Sequence, residues 1–92
     1  MARKLVYKII HLLPEGYSEA MFDGKRYGIT KSSFNNSNSL KIYGEELGGN
    51  NFISLNYYRT ISKEMLKPCE MPEEKVIHFL ENMEVISQFN KK

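Results

Sequence analysis

Only a few residues in this chain have the chemistry to act on a partner: one cysteine, two histidines, a Glu-Glu pair, and tyrosines interleaved with lysine and arginine. Cys69 is the sole thiol. It stands in Leu66-Lys67-Pro68-Cys69-Glu70-Met71-Pro72-Glu73-Glu74, just ahead of a helix start. A nucleophilic cysteine needs its pKa lowered, usually by a helix N-terminus or a neighbouring cation. Here Glu70, Glu73 and Glu74 crowd the same end and oppose a thiolate, with Lys67 offsetting them in part. A lone cysteine forms no internal disulfide and leaves no second thiol to resolve an oxidised intermediate. The residues therefore favour a buried or half-buried structural cysteine acting as a small hydrophobe.

His11 and His78 are far apart in the chain, and with one cysteine they do not make a four-ligand zinc site. His78 follows Ile77 and precedes Phe79, the position of a histidine at the edge of a core. Glu45 and Glu46 are adjacent in a strand pattern, so their side chains face opposite sides and do not work as an acid/base couple.

The remaining set is Lys41, Tyr43, Tyr57, Tyr58 and Arg59, with Lys25, Arg26 and Lys31 nearby. Aromatic rings between cations on a sheet stack bases and hold phosphates. Tyrosine is also a good strand former that half-buries readily, so sheet packing is the plainer role. Thirteen Lys and Arg against eleven Asp and Glu give a net charge of +2, a weak footprint for a nucleic-acid protein. Nucleic acid is thus a possible partner without being the favoured one. No Gly-rich phosphate loop, paired-cysteine motif or His-Glu zinc motif occurs, and no cofactor is called for. Leu5 to Leu13 is interrupted by Lys8 and His11 and lacks a cleavage site, and no apolar run approaches the roughly 18 residues of a membrane helix. A cytoplasmic protein with no membrane partner is expected.

These residues have to be positioned by one domain spanning 1–92, since this length supports a single core. Leu5 to Leu13 is ambiguous between helical spacing and strand-like composition. An extended or short irregular helical segment packed across the sheet is expected there, with Leu13 pushed away from the α region by Pro14. Asp23-Gly24 between two strand-like runs signals a hairpin, with Tyr27 and Ile29 on one face and Arg26, Gly28 and Thr30 on the other. The polar run 35–39 is a loop. Leu40 to Leu47 and Phe52 to Thr60 flank Gly48-Gly49-Asn50-Asn51 and form a second hairpin, with Ile53, Leu55 and Tyr57 sharing a face. Gly44 inside its strand implies a bulge or a close backbone approach. Glu64 to Lys67 returns as a short edge strand that Pro68 ends.

Pro72 sits at a first helical position, followed by Glu73 and Glu74 at the positive end of the helix dipole. Val76, Ile77, Leu80 and Met83 recur at helical spacing, predicting a helix over about residues 72–86. A frayed tail over 87–92 follows. The fold class is α+β: an antiparallel meander of four to five strands, with one C-terminal helix packed on one face.

Three blocks carry a resemblance to a known family. They are Gly24-Lys25-Arg26-Tyr27-Gly28-Ile29-Thr30, then Lys41-Ile42-Tyr43-Gly44-Glu45-Glu46-Leu47-Gly48-Gly49 running on to Phe52-Ile53-Ser54-Leu55-Asn56-Tyr57-Tyr58, and Leu66 to Val76 around the two prolines. Together they cover most of the chain. It resembles a family of small bacterial proteins of about this length, members of which carry the label peptide methionine sulfoxide reductase. The A-type reductases place their cysteine in Gly-Cys-Phe-Trp and the B-type in Arg-x-Cys-x-Asn, whereas here it stands in Pro68-Cys69-Glu70. The resemblance therefore implies Cys69 as the one residue through which such a reductase would act.

The residues favour a non-enzymatic binding or interaction domain, with a protein partner or a second copy of the chain as possible partners. A thiol-dependent peptide methionine sulfoxide reductase using Cys69 is the alternative. A nucleic-acid-binding sheet is the second.

Overall fold

The computed structural model describes residues 3–34, 36 and 38–88. Helix α1 (Arg3–Leu12) leads into strands β1 (Gly16–Phe22), β2 (Lys25–Phe34), β3 (Ser39–Glu46), β4 (Phe52–Arg59) and β5 (Glu64–Pro68). Helix α2 (Glu73–Asn82) and strand β6 (Glu84–Gln88) follow. The six strands form one sheet in the order β5-β4-β3-β2-β1-β6, antiparallel throughout. The first five strands are a meander. Helix α2 then carries the chain from the β5 edge to the opposite edge, where β6 pairs with β1.

The hairpins follow from local chemistry. Asp23 and Gly24 both adopt positive φ, 56° and 76°, as a two-residue turn between right-twisted strands requires. Gly48, at φ 84°, serves the second hairpin. Gly44 keeps regular pairing with Ile29 and Ile53, so the expected bulge is absent, and it is isoleucine side chains rather than backbone that crowd the position. A Cβ at Gly44 would lie 3.3 Å from Ile53 Cγ1 and 3.5 Å from Ile29 Cγ1. The sheet's irregularity falls instead between Glu19 and Ala20, where β1 meets β6.

Both helices cover one face. Val6, Ile10 and Leu13 of the first helical segment, and Val76, Phe79 and Leu80 of α2, are buried against Tyr27, Ile29, Leu40, Ile42, Ile53, Leu55, Tyr57 and Leu66. Aromatic packing knits the layers together: the Phe79 ring lies tilted 4.7 Å from Phe22 and edge-on 5.0 Å from Tyr27, centroid to centroid. Among the described residues no helix covers the second face of the sheet, to which the alternate residues of each strand point.

Three expectations change. The segment Arg3–Leu12 is a regular helix rather than an extended or irregular one. Its β-branched residues yield to burial, because Val6, Ile10 and Leu13 fall on one stripe facing the sheet, and packing outweighs propensity in a short helix. Its C-terminal end is closed by Lys31, whose ammonium donates to the carbonyls of Leu13 at 2.9 Å and His11 at 3.3 Å. A cation at that end meets both the unpaired carbonyls and the negative pole of the helix.

The C-terminal helix is shorter than its spacing implies. Pro72, with φ −66° and ψ 147°, caps α2 from outside rather than opening it, and Met83 leaves the helix in an extended conformation. Residues 84–88 are then a sixth strand, so Ser87 and Gln88 belong to the sheet and not to a frayed tail. Residues 89–92 lie outside the described residues. Without β6 the backbone of β1 would be a free edge, and Val85 and Ile86 have the branched side chains that suit a strand. Among the described residues the fold is thus α+β with six strands and two helices, where four to five strands and one helix were expected.

Candidate functional site

The cross-strand register arranges the helix-free face in rows. Tyr17, Thr30, Tyr43 and Ser54 form one row, Ser32, Lys41, Asn56 and Lys67 the next, and Phe34, Ser39, Tyr58 and Met65 a third. Successive residues on one face of a strand are about 7 Å apart, and neighbouring strands about 4.8 Å. Two lysines, with Asn56 between them, therefore lie between two rows that carry aromatic rings. Tyr17, Tyr43 and Tyr58 are each 38% exposed. That is enough to offer part of each ring to a ligand while the rest packs on the sheet. Ser54, by contrast, is buried among them.

Acidic groups bound this face at one end. Glu19 accepts from the Arg26 guanidinium at 2.9 Å, which spends that cation, and Tyr17 donates to the same carboxylate at 3.3 Å. Tyr17 lies over Gly28, where a Cβ would meet its hydroxyl at 2.6 Å. The hydroxyl's pKa is raised, by desolvation first and then by the charge of Glu19. Glu45 is exposed in the next strand, beside Phe52. At that corner Lys75 of α2 reaches over the Phe52 ring, 5.6 Å from its centroid, and Tyr43 stands 6.1 Å from the same ring.

The structure divides the residues proposed from the sequence. Lys41, Tyr43 and Tyr58 share the open face. Tyr57 is fully buried on the helix face, and Arg59, of the same parity, is exposed at the strand end and bonds Asn38 Oδ1 through Nε at 3.4 Å and Nη2 at 3.3 Å. Lys31, grouped with them in sequence, caps α1. Asn56 and Tyr17 join the face without having been singled out, and Lys67, considered only as a counter-charge to the glutamates near Cys69, joins it too. The strand alternation that separates Glu45 from Glu46 separates Tyr57 from Tyr58 equally, and that signal was available in the sequence. Lys67 and Asn56 meet only through the β4–β5 register, which no local pattern encodes.

Cys69 extends the β4–β5 pairing by one residue, its N–H donating to Ser54 O at 2.9 Å. The thiol is half-buried and accepts from Asn56 Nδ2 at 3.4 Å. It serves the joint between β5 and α2, where the following Glu70 takes a positive φ of 61°.

A second polar cluster lies between α1 and the β4–β5 hairpin. The Tyr57 hydroxyl donates to Glu64 Oε2 at 2.5 Å and lies 3.0 Å from His11 Nε2. The Tyr7 hydroxyl donates to the Glu64 carbonyl at 3.4 Å. Burial and the Glu64 carboxylate push the Tyr57 phenol well above its ordinary value, so it stays protonated. An open cleft of about 490 Å³ beside this cluster is lined by Leu5, Tyr7, Lys8, His11 and Glu64. His78 is exposed at the edge of the core, with Phe22 at 5.5 Å and Asn82 Nδ2 at 3.2 Å from its Nδ1. No group of three metal-ligating side chains occurs among the described residues. Nor is any helix there long and apolar enough to cross a membrane.

Compared with models of protein families, with curated proteins and with solved structures, the chain matches none of them.

Proposed function

We propose that this chain is a non-enzymatic binding domain that takes an extended ligand across the helix-free face of its sheet. One observation carries the reading: a whole sheet face bears half-exposed tyrosines and a lysine row while both helices pack on the other side. Three part-exposed tyrosines and Phe52 on one face of a sheet make a polar-rimmed apolar surface of the kind that binding sites use. Among the described residues the face shows no nucleophile–base pair, the Cys69 thiol being hydrogen-bonded to the amide of Asn56, so binding is the chemistry its side chains favour.

The test is amide chemical-shift mapping during titration with extended peptides and with oligonucleotides. Saturable shifts centred on Lys41, Tyr43, Asn56 and Tyr58 support the reading. Shifts centred on His11 and Glu64 would move the function to the α1 cleft and end it.

The rival is a thiol-dependent peptide methionine sulfoxide reductase acting through Cys69. An activated Cys69 would be alkylated rapidly in the folded protein well below pH 8. Rapid labelling, together with reductase activity that Cys69→Ser abolishes, would replace the binding reading.

A further inference from the structure

We infer that the ligand of the open face is a single-stranded nucleic acid, whose bases stack on Tyr43 and Tyr58 while Lys41 and Lys67 hold its backbone. The inference rests on the proposal that this face is the binding surface, and it adds the chemical class of the occupant.

The register supplies the geometry. Tyr43 and Tyr58 lie on adjacent strands, two rows apart, which is about 13 Å along the sheet. Lys41 falls in the row between them, about 7 Å from Tyr43 and about 8 Å from Tyr58, and Lys67 continues that row two strands away, about 10 Å across. Ring, cation, ring is the alternation of an unpaired strand, in which every base is followed by a phosphate. Aromatic side chains on a sheet accept bases of any sequence, because each base has a π-face.

A duplex does not fit the same surface. Its bases are stacked inside and are read from grooves that admit a helix or a ribbon, while the surface here is the broad face of a sheet. The acids decide the direction of the track. Glu45, with the Arg26-paired Glu19, lies in the row of Gly28 and Phe52, one row beyond Tyr43, so the strand starts at Tyr43 and runs across Lys41 to Tyr58, away from that row. With two lysines as its phosphate contacts, the complex has to be weakly salt-dependent. This reconciles a nucleic-acid ligand with a net charge of only +2.

The experiment is fluorescence anisotropy with labelled oligothymidylate and oligouridylate of about ten nucleotides. Salt is varied between about 50 and 200 mM. Saturable binding is expected, with log K falling against log salt at a slope of about −1.4, the value for two phosphate contacts on a single strand. Tyr43→Ala and Tyr58→Ala each weaken binding about ten-fold. Lys41→Gln and Lys67→Gln each flatten the slope by about 0.7, whereas Lys25→Gln, off the track, leaves it unchanged. Thermal melts of each variant confirm that it is folded.

Equal losses from Lys25→Gln and Lys41→Gln would mean diffuse attraction to a polyanion, and would overturn the inference. So would a duplex bound as tightly as the single strand. If neither oligonucleotide binds while peptides still shift the open face, the ligand class is wrong and the binding reading stands. If an oligonucleotide binds and neither tyrosine variant weakens it, both fail.

Discussion

His11 Nε2 lies 3.0 Å from the hydroxyl of Tyr57, two residues separated by 46 positions in sequence. The phenol's single proton goes to Glu64 Oε2, so the imidazole nitrogen is the donor in the other contact and carries its proton on Nε2. The chain His11–Tyr57–Glu64 thereby ties helix α1 to strands β4 and β5. Tyr57 is the link, and it is fully buried. Tyr57→Phe keeps the ring packing but leaves a carboxylate and an imidazole without their partner. A loss of about 1–3 kcal/mol is expected in chemical denaturation.

The same histidine carries a pH dependence. His11 is held below its ordinary value of 6.5, first by burial and then by the charges of Arg59 and Lys31, with Glu64 acting against them. In the unfolded chain the imidazole takes up its proton at the ordinary value, so around and below pH 6.5 the unfolded state binds more protons. The stability that depends on neutral His11 is complete above 6.5 and is lost as pH falls below it toward the folded value. Melting temperatures measured between pH 5 and pH 8 should decline on the acid side. His11→Gln should remove that part of the decline.

Ser18 offers a change in the opposite direction. Its hydroxyl is fully buried on the helix face and has no hydrogen-bond partner among the described residues. Ser18→Ala removes an unsatisfied polar group at nearly constant volume. It should be neutral or stabilising by up to about 1 kcal/mol, read from the midpoint of a denaturant curve.

Strand β6 can be tested against a continuing helix. Val85 pairs with Ala20, and its side chain joins Ile9, Leu12, Leu13 and Met83 around a small apolar crevice. Val85→Asp places a charge in that crevice and should cost about 1–2 kcal/mol. Hydrogen exchange should show faster exchange in β6 and in the paired part of β1, with β2 and β3 unaffected.

Cys69→Ser should be tolerated if the thiol is a packing element of the joint. Asn56 Nδ2 can donate to a serine hydroxyl as it does to sulfur at 3.4 Å. A stability change within about 0.5 kcal/mol is expected. A much larger loss would show that the sulfur's size and apolar character matter at this position.

By itself the sequence determined the elements whose causes are local. The Asp23-Gly24 turn, the alternation that puts Ile53, Leu55 and Tyr57 on one face, Pro68 at the end of β5 and the apolar stripe of α2 all rest on neighbours within a few residues. The alternation even contained the division between Tyr57 and Tyr58 that the candidate site depends on. What only the tertiary structure decided is long-range. Arg3–Leu12 became a helix because its stripe found a sheet to cover and Lys31, far along the chain, closed its end. Residues 84–88 became a strand because β1 would otherwise have had an unpaired edge. Lys41 and Lys67 became one row, and His11, Tyr57 and Glu64 one cluster, because strand register and helix packing bring together residues that no sequence spacing connects.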